Sequence, residues 1–293
     1  MRILNFGSLN IDFTFLVDHF VKPGQTISSN VAQHAAGGKG LNQSIALARA
    51  GASVSHAGIV GSDGVFLKEM LEADGVDCRH LKVTDGETGK AFIQVDPDGQ
   101  NCIVLFGGTN RENTKEFCDE VLQDFSAGDM LVLQNEINEL DYLIDKAGEK
   151  GMKVVLNPSP MDGAILACDL NKVSIFLLNE DEGKTLSGET EPEQILSVLT
   201  KRYPNAEFVL TLGGDGSVYA HGEERHCQGI FKVEAVDTTG AGDTFTGYFL
   251  ANYAKGEPIA ACMAMAAKAS AIAVGRKGAA PAIPYAQEVR LDG

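Results

Sequence analysis

The chain has 293 residues, of which 44% are hydrophobic and 22% charged, the balance of an ordinary globular protein rather than of a disordered one. Its formal net charge of -16 argues against affinity for nucleic acid or for an anionic membrane. A polyanionic ligand would therefore have to be held locally, by backbone N–H groups, a helix N-terminus and metal ions.

The most apolar stretches of the chain do not predict a membrane protein. Asp12 follows the first strand too soon for the apolar region of a signal peptide. The run Ile259–Val274 contains Lys268, is short for a membrane span, and predicts a core helix. Neither a zinc site nor a disulfide framework is expected, and we predict a cytoplasmic protein, because no CxxC pair occurs among Cys78, Cys102, Cys118, Cys168, Cys227 and Cys262.

Strand-like and helical patterns alternate along most of the chain. A strand is predicted at Ile3–Phe6 and a helix near residues 40–51. From about residue 120, strand patterns at Met130–Gln134, Lys153–Leu156, Val173–Leu178 and Phe208–Leu212 alternate with helical patterns near 138–150 and 191–202. This alternation predicts βαβ units and a mostly parallel α/β sheet covered on both faces.

Two segments, near residues 11–34 and 88–106, depart from that rhythm and predict a small antiparallel flap. Short β-like runs occur at Phe13–Val17, Ala91–Val95 and Cys102–Phe106. The turn sequence Pro-Asp-Gly at 97–99 joins the last two runs and is typical of a hairpin. No linker divides the chain, so we expect one domain over 1–293 with the flap as an insertion.

The first candidate site segments lie near the N-terminus. Asn10 and Asp12 follow the first strand, where α/β sheets bind ligands, although an Asx turn explains these residues equally well. The segment Ala36–Gln43 opens a helix and combines close backbone with Lys39 and Asn42, which suits a polyhydroxyl ligand. It is not a Walker A loop, because neither Ser nor Thr follows the lysine.

The strongest segment is Asp237–Phe245, which precedes an apolar helical run. Gly240, Ala241 and Gly242 allow a ligand to approach the backbone, and the free N–H groups of the helix would bind an anion. Asp243 within such a site suits a base that takes a proton from a hydroxyl during phosphoryl transfer. A helix cap is the alternative, and for an isolated segment it is the more common one.

Other nucleotide-binding signatures fail. Gly183-Lys184-Thr185 has Leu178 where the first glycine of a Walker A loop belongs. No GxGxxG follows the first strand, which speaks against a nicotinamide-dependent oxidoreductase.

Taken together, the segments Gly37–Gln43 and Asp237–Thr246 resemble the two signatures of the ribokinase family of carbohydrate kinases, the PfkB superfamily. The resemblance extends over nearly the entire chain. It implies a doubly wound sheet with a small β-sheet lid, and ATP-dependent phosphorylation of a sugar with Asp243 as the base. ATP, Mg²⁺ and K⁺ are the implied cofactors, and pairing of two lids implies a homodimer.

The same resemblance assigns further residues. The implied sugar site is Asn10, Asp12, Gly38, Lys39, Asn42 and Glu136. The implied nucleotide site is Asn179, Thr211, Leu212, Gly213, Gly214, Asp215, Gly216 and Gly242, with Glu182 reaching Mg²⁺ through water. The implied monovalent-cation site is Asp237, Thr239, Ala273, Arg276, Gly278 and Ala282, several through backbone carbonyls.

The expected acceptor is an unphosphorylated pentose, with D-ribose preferred. The implied sugar site holds mainly carboxylates and amides, with Lys39 as its cation and Arg111 as the other candidate, whereas a sugar phosphate would need several cationic side chains. A kinase for a ketose, a sugar acid or a nucleoside is the alternative. A non-catalytic sensor on the same fold remains a further hypothesis, against which the intact Asp243 argues.

Overall fold

The computed structural model describes residues 1–291, which contain two β-sheets and nine α-helices. The strands are β1 (Ile3–Phe6), β2 (Asn10–Leu16), β3 (Val31–Gly37), β4 (Val54–Gly61), β5 (Asp77–Thr84), β6 (Gly89–Val95), β7 (Asn101–Phe106), β8 (Met130–Gln134), β9 (Lys153–Asn157), β10 (Ile175–Asn179), β11 (Glu207–Thr211), β12 (Ser217–His221) and β13 (Glu224–Gln228). The helices are α1 (Lys39–Arg49), α2 (Val65–Ala73), α3 (Lys115–Gln123), α4 (Leu140–Glu149), α5 (Gly163–Ala167), α6 (Glu180–Ser187), α7 (Pro192–Arg202), α8 (Ala241–Ala254) and α9 (Ile259–Val274).

The larger sheet has nine strands in the order β13-β12-β11-β10-β9-β8-β1-β4-β5. All neighbours from β11 to β5 are parallel, and β12 and β13 add an antiparallel hairpin at one edge. The chain runs from β1 to β4 and β5 on one side and then returns to β8 on the other. The strand order therefore reverses between β1 and β8, which confirms the predicted doubly wound, mostly parallel sheet.

Helices cover both faces of this sheet. One hydrophobic cluster joins the sheet to α1, α8 and α9, and a second joins it to α3, α4 and α7. Along β1, Ile3 belongs to the first cluster, whereas Leu4 and Phe6 belong to the second. Because both faces are buried, a central strand such as β8 has consecutive apolar residues, Met-Leu-Val-Leu at 130–133, rather than alternating ones.

The predicted elements of the main sheet are confirmed. The bounds of β1, β8 and α9 match the predictions, and the other predicted strands and helices of the layer agree within two residues at each end. The hairpin of β12 and β13 was not predicted. Its second strand, Glu-Arg-His-Cys-Gln, lies at the sheet edge, is only partly buried and lacks an apolar run.

The smaller sheet, the lid, has four strands in the order β3-β2-β6-β7. It is mixed rather than antiparallel as predicted, because β2 and β6 pair in parallel whereas the β2–β3 and β6–β7 pairs are antiparallel. The predicted hairpin joins β6 to β7, and its turn is closed by Asp96 Oδ1, which accepts from the N–H groups of Asp98 and Gln100. Strand β3 was not predicted as a strand. It pairs with β2 from Val31 to Gly37 and leads directly into α1, so the lid and the glycine-rich segment are continuous.

None of the helices between residues 1 and 291 has both the length and the apolar character that crossing a membrane requires.

Candidate active site

The predicted site residues gather at the carboxyl ends of the parallel strands, around the reversal between β1 and β8. Glu136 follows β8, and its Oε2 accepts from the backbone N–H of Lys39 at 3.0 Å and from the hydroxyl of Ser8. Ser8 Oγ in turn accepts from the Gly40 N–H at 3.3 Å. Glu136 thus ties the end of β1 to the start of α1 and keeps its second oxygen, Oε1, for a ligand.

The glycines that open α1 allow close packing against the end of β1. A Cβ atom on Gly40 would lie 2.4 Å from Ser8 N and 2.6 Å from Gly7 Cα, so only glycine fits at this contact. A Cβ on Gly37 would lie 2.0 Å from Oδ2 of Asp12. Part of the glycine pattern therefore serves to bring α1 and Asp12 into the site.

Asn10 is oriented by Asn110, a residue for which no role was predicted. Asn110 Nδ2 donates to Asn10 Oδ1 at 2.8 Å and to the Leu9 carbonyl, and its Oδ1 accepts from the Leu9 N–H. Because the Asn10 oxygen is occupied, its Nδ2 group is the part left for a ligand. Asn110 stands in the segment after the lid, and sequence spacing alone gave no sign of this contact.

Asp12 lies opposite two other carboxylates. Burial raises the pKa of Asp12 to about 7, and the charges of Glu136 and Asp243 add to the shift. Lys39 balances this acidic group. Burial opposes its charge, but Asp243, Glu136 and Glu182 hold the pKa of Lys39 above its ordinary value.

Asp243 lies in the first turn of α8 and is buried. Its Oδ2 accepts from Asn42 Nδ2 at 3.1 Å and its Oδ1 accepts from Gln43 Nε2 at 2.9 Å. These two contacts join residues 200 or 201 positions apart in the chain and bring the two glycine-rich segments together. The carboxylate does not cap its own helix, whose first residue is preceded by Gly240 without a side-chain cap.

The start of α8 is suited to bind an anion. Ala241 N donates to Thr238 O and Thr244 N donates to Gly240 O, so Gly242 and Asp243 carry the first-turn N–H groups between them. Such groups have no acceptor within their own helix. A Cβ atom built on Gly242 meets nothing within 4 Å, so this residue faces open space.

A cavity of about 600 Å³ adjoins this helix end and has mainly apolar walls. Its floor includes Thr211, Gly213, Gly214 and Gly216, as the sequence predicted, together with Gly242. Leu212 and Asp215 belong to the same turn but do not line the cavity: Leu212 packs against the core and donates its N–H to Gly216 O.

The opposite wall of the cavity comes from residues 230–235, which were not predicted to bind anything. Ile230, Phe231 and Val233 line the cavity, and the Lys268 ammonium lies 4.9 Å from the centre of the Phe231 ring. The segment forms neither a helix nor a strand, so no periodic pattern in the sequence marks it as a binding segment.

A second cavity, of about 240 Å³, continues from the first at Gly242 and leads to the carboxylates. Lys39, Asp243, Asn179 and Glu182 line it. A flat apolar group in the large cavity and a polyanion in the small one would match these walls, so the residues present fit a nucleoside triphosphate.

Asn179 and Glu182 form a capping box at the start of α6. Asn179 Oδ1 accepts from the Glu182 N–H at 2.9 Å, and Glu182 Oε2 accepts from the Asn179 N–H at 3.0 Å. Burial raises the pKa of Glu182, against the lowering effect of the Asn179 N–H and of Lys39. In residues 1–291 no three His, Cys, Asp or Glu side chains are grouped to hold a metal, so Mg²⁺ would need phosphate oxygens and water as ligands.

The predicted monovalent-cation residues form one unit next to the anion site. Asp237 Oδ1 accepts from the Thr239 N–H and its Oδ2 from the Gly278 N–H, each at 2.9 Å. Partial burial would raise the pKa of Asp237, but these hydrogen bonds hold it below its ordinary value. The side chain of Arg276 pairs with Glu288, which leaves the Arg276 carbonyl as its contribution. The Ala273 and Ala282 segments close the same loop, where Ala273 O accepts from Arg276 N and Ala282 N donates to Ala279 O.

Comparison with known proteins gives consistent results over the whole chain. The model of the pfkB family carbohydrate kinases matches residues 2–286. The ribokinase of Haemophilus influenzae is 35% identical, with 96% of this chain and 95% of the relative covered.

Two solved structures are similar throughout. The ribokinase of Cryptococcus neoformans var. grubii in complex with ADP has a TM-score of 0.85 and 34% identity, with 98% of each chain covered. The Arabidopsis thaliana ribokinase complexed with ribose and ATP has a TM-score of 0.85 and 30% identity, with 98% of this chain and 97% of that chain covered.

Proposed function

This chain belongs to the pfkB family of carbohydrate kinases and is an ATP-dependent sugar kinase, and we propose that its acceptor is D-ribose, phosphorylated on its terminal hydroxyl. The observation that carries the proposal is the position of Asp243, which lies between the implied sugar residues and the anion-binding end of α8. The family model spans residues 2–286, which supports one kinase domain over the whole chain with the lid as part of it.

In the proposed mechanism Asp243 takes the proton of the attacking hydroxyl. The N–H groups of Gly242 and its neighbours in the first turn of α8, with Gly240 and Ala241 shaping the approach, stabilise the charge on the transferring phosphoryl group. Lys39, which lines the same small cavity, adds a positive charge beside it. Mg²⁺, when bound with ATP, would neutralise charge on the phosphate oxygens, and Asn179 and Glu182, which line the small cavity, would hold its water ligands.

The charges of the sugar site favour an acceptor without a phosphate group. Asp12 and Glu136 face the site, and a second phosphate would be repelled by the charge of Glu136 and, once it is ionised, by that of Asp12. Arg111, the other candidate cation, donates to the Ile137 carbonyl at 2.8 Å. Hydroxyl groups, in contrast, find both donors and acceptors in Asn10, Asn42 and Glu136.

The test is ATP consumption by the purified enzyme with a panel of acceptors: ribose, fructose, fructose 1-phosphate, a sugar acid and adenosine. We expect the highest kcat/KM with ribose. A tenfold preference, about 1.4 kcal/mol, for a phosphorylated sugar or a nucleoside would contradict the assignment of the acceptor and leave the kinase activity intact. An absence of turnover with every acceptor would instead favour the sensor hypothesis.

We also propose that K⁺ activates the enzyme through the loop of Asp237 and Gly278. A bound cation would hold the turn before α8 and so pre-form the anion site, because Gly240 packs against Ala279 of this loop. The rate should be higher in potassium than in a non-coordinating organic cation at matched ionic strength. Asp237→Asn, which cannot accept both N–H groups, should raise the potassium concentration needed for half-activation. Equal rates in both cations would contradict the proposal.

The lid, we further propose, pairs with the lid of a second copy to form a homodimer. Strand β7 is a free edge of the lid and exposes Ile103, Val104, Leu105 and Phe106, with Val104 63% exposed. An edge strand of this kind favours association. Light scattering at micromolar concentration should give a dimer, and Val104→Asp should give a monomer. Leu166→Asp, at an exposed apolar position outside the lid, is the control; a monomeric wild type would refute the proposal.

A further inference from the structure

A chain of three buried carboxamides leads from the centre of the sheet to Asp243. Asn5 lies on β1, Gln134 ends β8 and Gln43 lies in α1, and all three side chains are fully buried. Gln134 Nε2 donates to Asn5 Oδ1 at 2.9 Å and to Gln43 Oε1 at 2.8 Å. Gln43 Nε2 donates to Asp243 Oδ1 at 2.9 Å and to Asn157 Oδ1 at 3.2 Å.

The direction of these hydrogen bonds is set at the far end of the chain. Asn5 Nδ2 donates to the Gly40 carbonyl at 2.8 Å, and a carbonyl oxygen can only accept. The Asn5 oxygen therefore faces Gln134, which must donate, and the Gln43 oxygen must accept from the same group. The N–H group of Gln43 is consequently the part turned toward Asp243.

The position of Gln134 supports this direction. Its Oε1 has no hydrogen-bond partner among the described residues and lies over Gly7, where a Cβ atom would be 2.3 Å away. A rotated Gln134 amide would place that oxygen against both Asn5 Oδ1 and Gln43 Oε1. The observed orientation leaves one acceptor unpaired. The rotated orientation would lose two hydrogen bonds and place two pairs of acceptors against each other, which costs more free energy.

We propose that Gln43 and Gln134 are positioning residues of the phosphoryl transfer: together with Asn5 they form a one-way hydrogen-bond chain that holds the Asp243 carboxylate as an acceptor in a fixed rotation. The inference rests on the proposed function, in which Asp243 is the base. With Gln43 on Oδ1 and Asn42 on Oδ2, the carboxylate cannot rotate without losing a hydrogen bond. A reversed Gln43 would present its oxygen to Asp243, and the repulsion would displace the carboxylate or favour its protonated form, which cannot take the substrate proton.

Two substitutions of Gln134, which contacts neither Asp243 nor the cavities, test the chain. Gln134→Glu keeps the shape but, in its ionised form, replaces the donor with an acceptor, so Gln43 turns its N–H group toward residue 134; because burial favours the protonated acid, kcat is compared over a pH series. Gln134→Met imposes no direction, and Gln43 keeps its N–H group on Asp243. We expect Gln134→Glu to lower kcat by roughly 100-fold, the cost of a misplaced catalytic group, and Gln134→Met to lower it much less. KM for ATP should stay unchanged in both.

The predicted difference in kcat between Gln134→Glu and Gln134→Met separates a positioning role from a purely structural one. If the amides only stabilise the core, both variants lose thermal stability and keep kcat per folded enzyme. Asn252→Leu is the matched control, since Asn252 is a buried amide of α8 that donates, within residues 1–291, only to Tyr248 O; it should lower the unfolding temperature and leave kcat intact. A kcat for Gln134→Glu equal to or above that of Gln134→Met would overturn the inference.

If Gln134→Glu does not fold, Gln43→Met serves as the second test. It removes the N–H donor from Asp243 Oδ1 while Asn42 still holds Oδ2, and kcat should fall by about 10- to 100-fold; an unchanged kcat would overturn the inference. A wild type without ATP-dependent phosphorylation of any sugar would contradict the proposed function. An active wild type whose Gln134 variants keep full kcat would contradict only the hydrogen-bond chain.

Discussion

Asp243→Asn is expected to lower kcat by roughly two to four orders of magnitude, the usual contribution of a general base. An amide cannot take the proton of the attacking hydroxyl. Binding of ATP should persist, because the large cavity is formed by Thr211, the 230–235 segment and α9 rather than by Asp243. Turnover at saturating sugar and ATP, together with the Kd for ATP from calorimetry, measures the two quantities separately.

Asp243→Asn should also lower the stability of the fold. Both oxygens of Asp243 accept from amide donors, and an asparagine would turn its own N–H group toward Gln43 or Asn42. We expect a loss of about 1–3 kcal/mol in the free energy of unfolding, as for other buried groups that lose a partner. Asp181→Asn, at an exposed position of α6, is the control for a change of charge near the same sheet end. Turnover near the wild-type rate in Asp243→Asn would remove this residue from the mechanism.

The sheet could be predicted from the sequence where burial on both faces produced continuous apolar runs. The run at 130–133 in β8 is of this kind, and β1 departs from it only at Asn5. Strand β3, Val-Ala-Gln-His-Ala-Ala-Gly, has little intrinsic strand preference. It forms because it pairs with β2 along its whole length, and this tertiary contact leaves no mark in the local pattern.

The site could be predicted only in part, for a related reason. The resemblance of the two glycine-rich segments identified Asn42 and Asp243, but not the hydrogen bond between them. No role could be predicted for Gln43, although it belongs to one of these segments, because its partners Gln134 and Asp243 lie far away in the sequence. Polar groups at the ends of different strands meet only once the strand order is known, and the strand order is a tertiary property.

Glu136→Ala is the second change with a large expected effect, and it should act on the sugar rather than on ATP. Oε2 of Glu136 is occupied by Lys39 N and Ser8 Oγ, which leaves Oε1 for a hydroxyl of the proposed sugar. Loss of a hydrogen bond to a charged group costs about 1.5–3 kcal/mol, or roughly 10- to 150-fold in kcat/KM for ribose. KM for ATP should not change, because Glu136 does not line either of the two connected cavities.

The alanine variant alone does not distinguish recognition of the sugar from support of α1, because it also removes the acceptor for Lys39 N and Ser8 Oγ. Glu136→Gln separates the two: its amide oxygen still accepts from both groups, but its N–H group replaces the charged acceptor that faces the sugar. Burial is the main cause of the raised pKa of Asp12, and the Glu136 charge contributes to it. Either variant should therefore lower the pKa of Asp12, which a titration followed by NMR would detect.

If Glu136 recognises a sugar hydroxyl, Glu136→Gln stays defective with ribose. If it restores kcat/KM to the wild-type value, Glu136 acts only by joining α1 to β1, and the sugar must be held by Asn10, Asp12 and Asn42 without it.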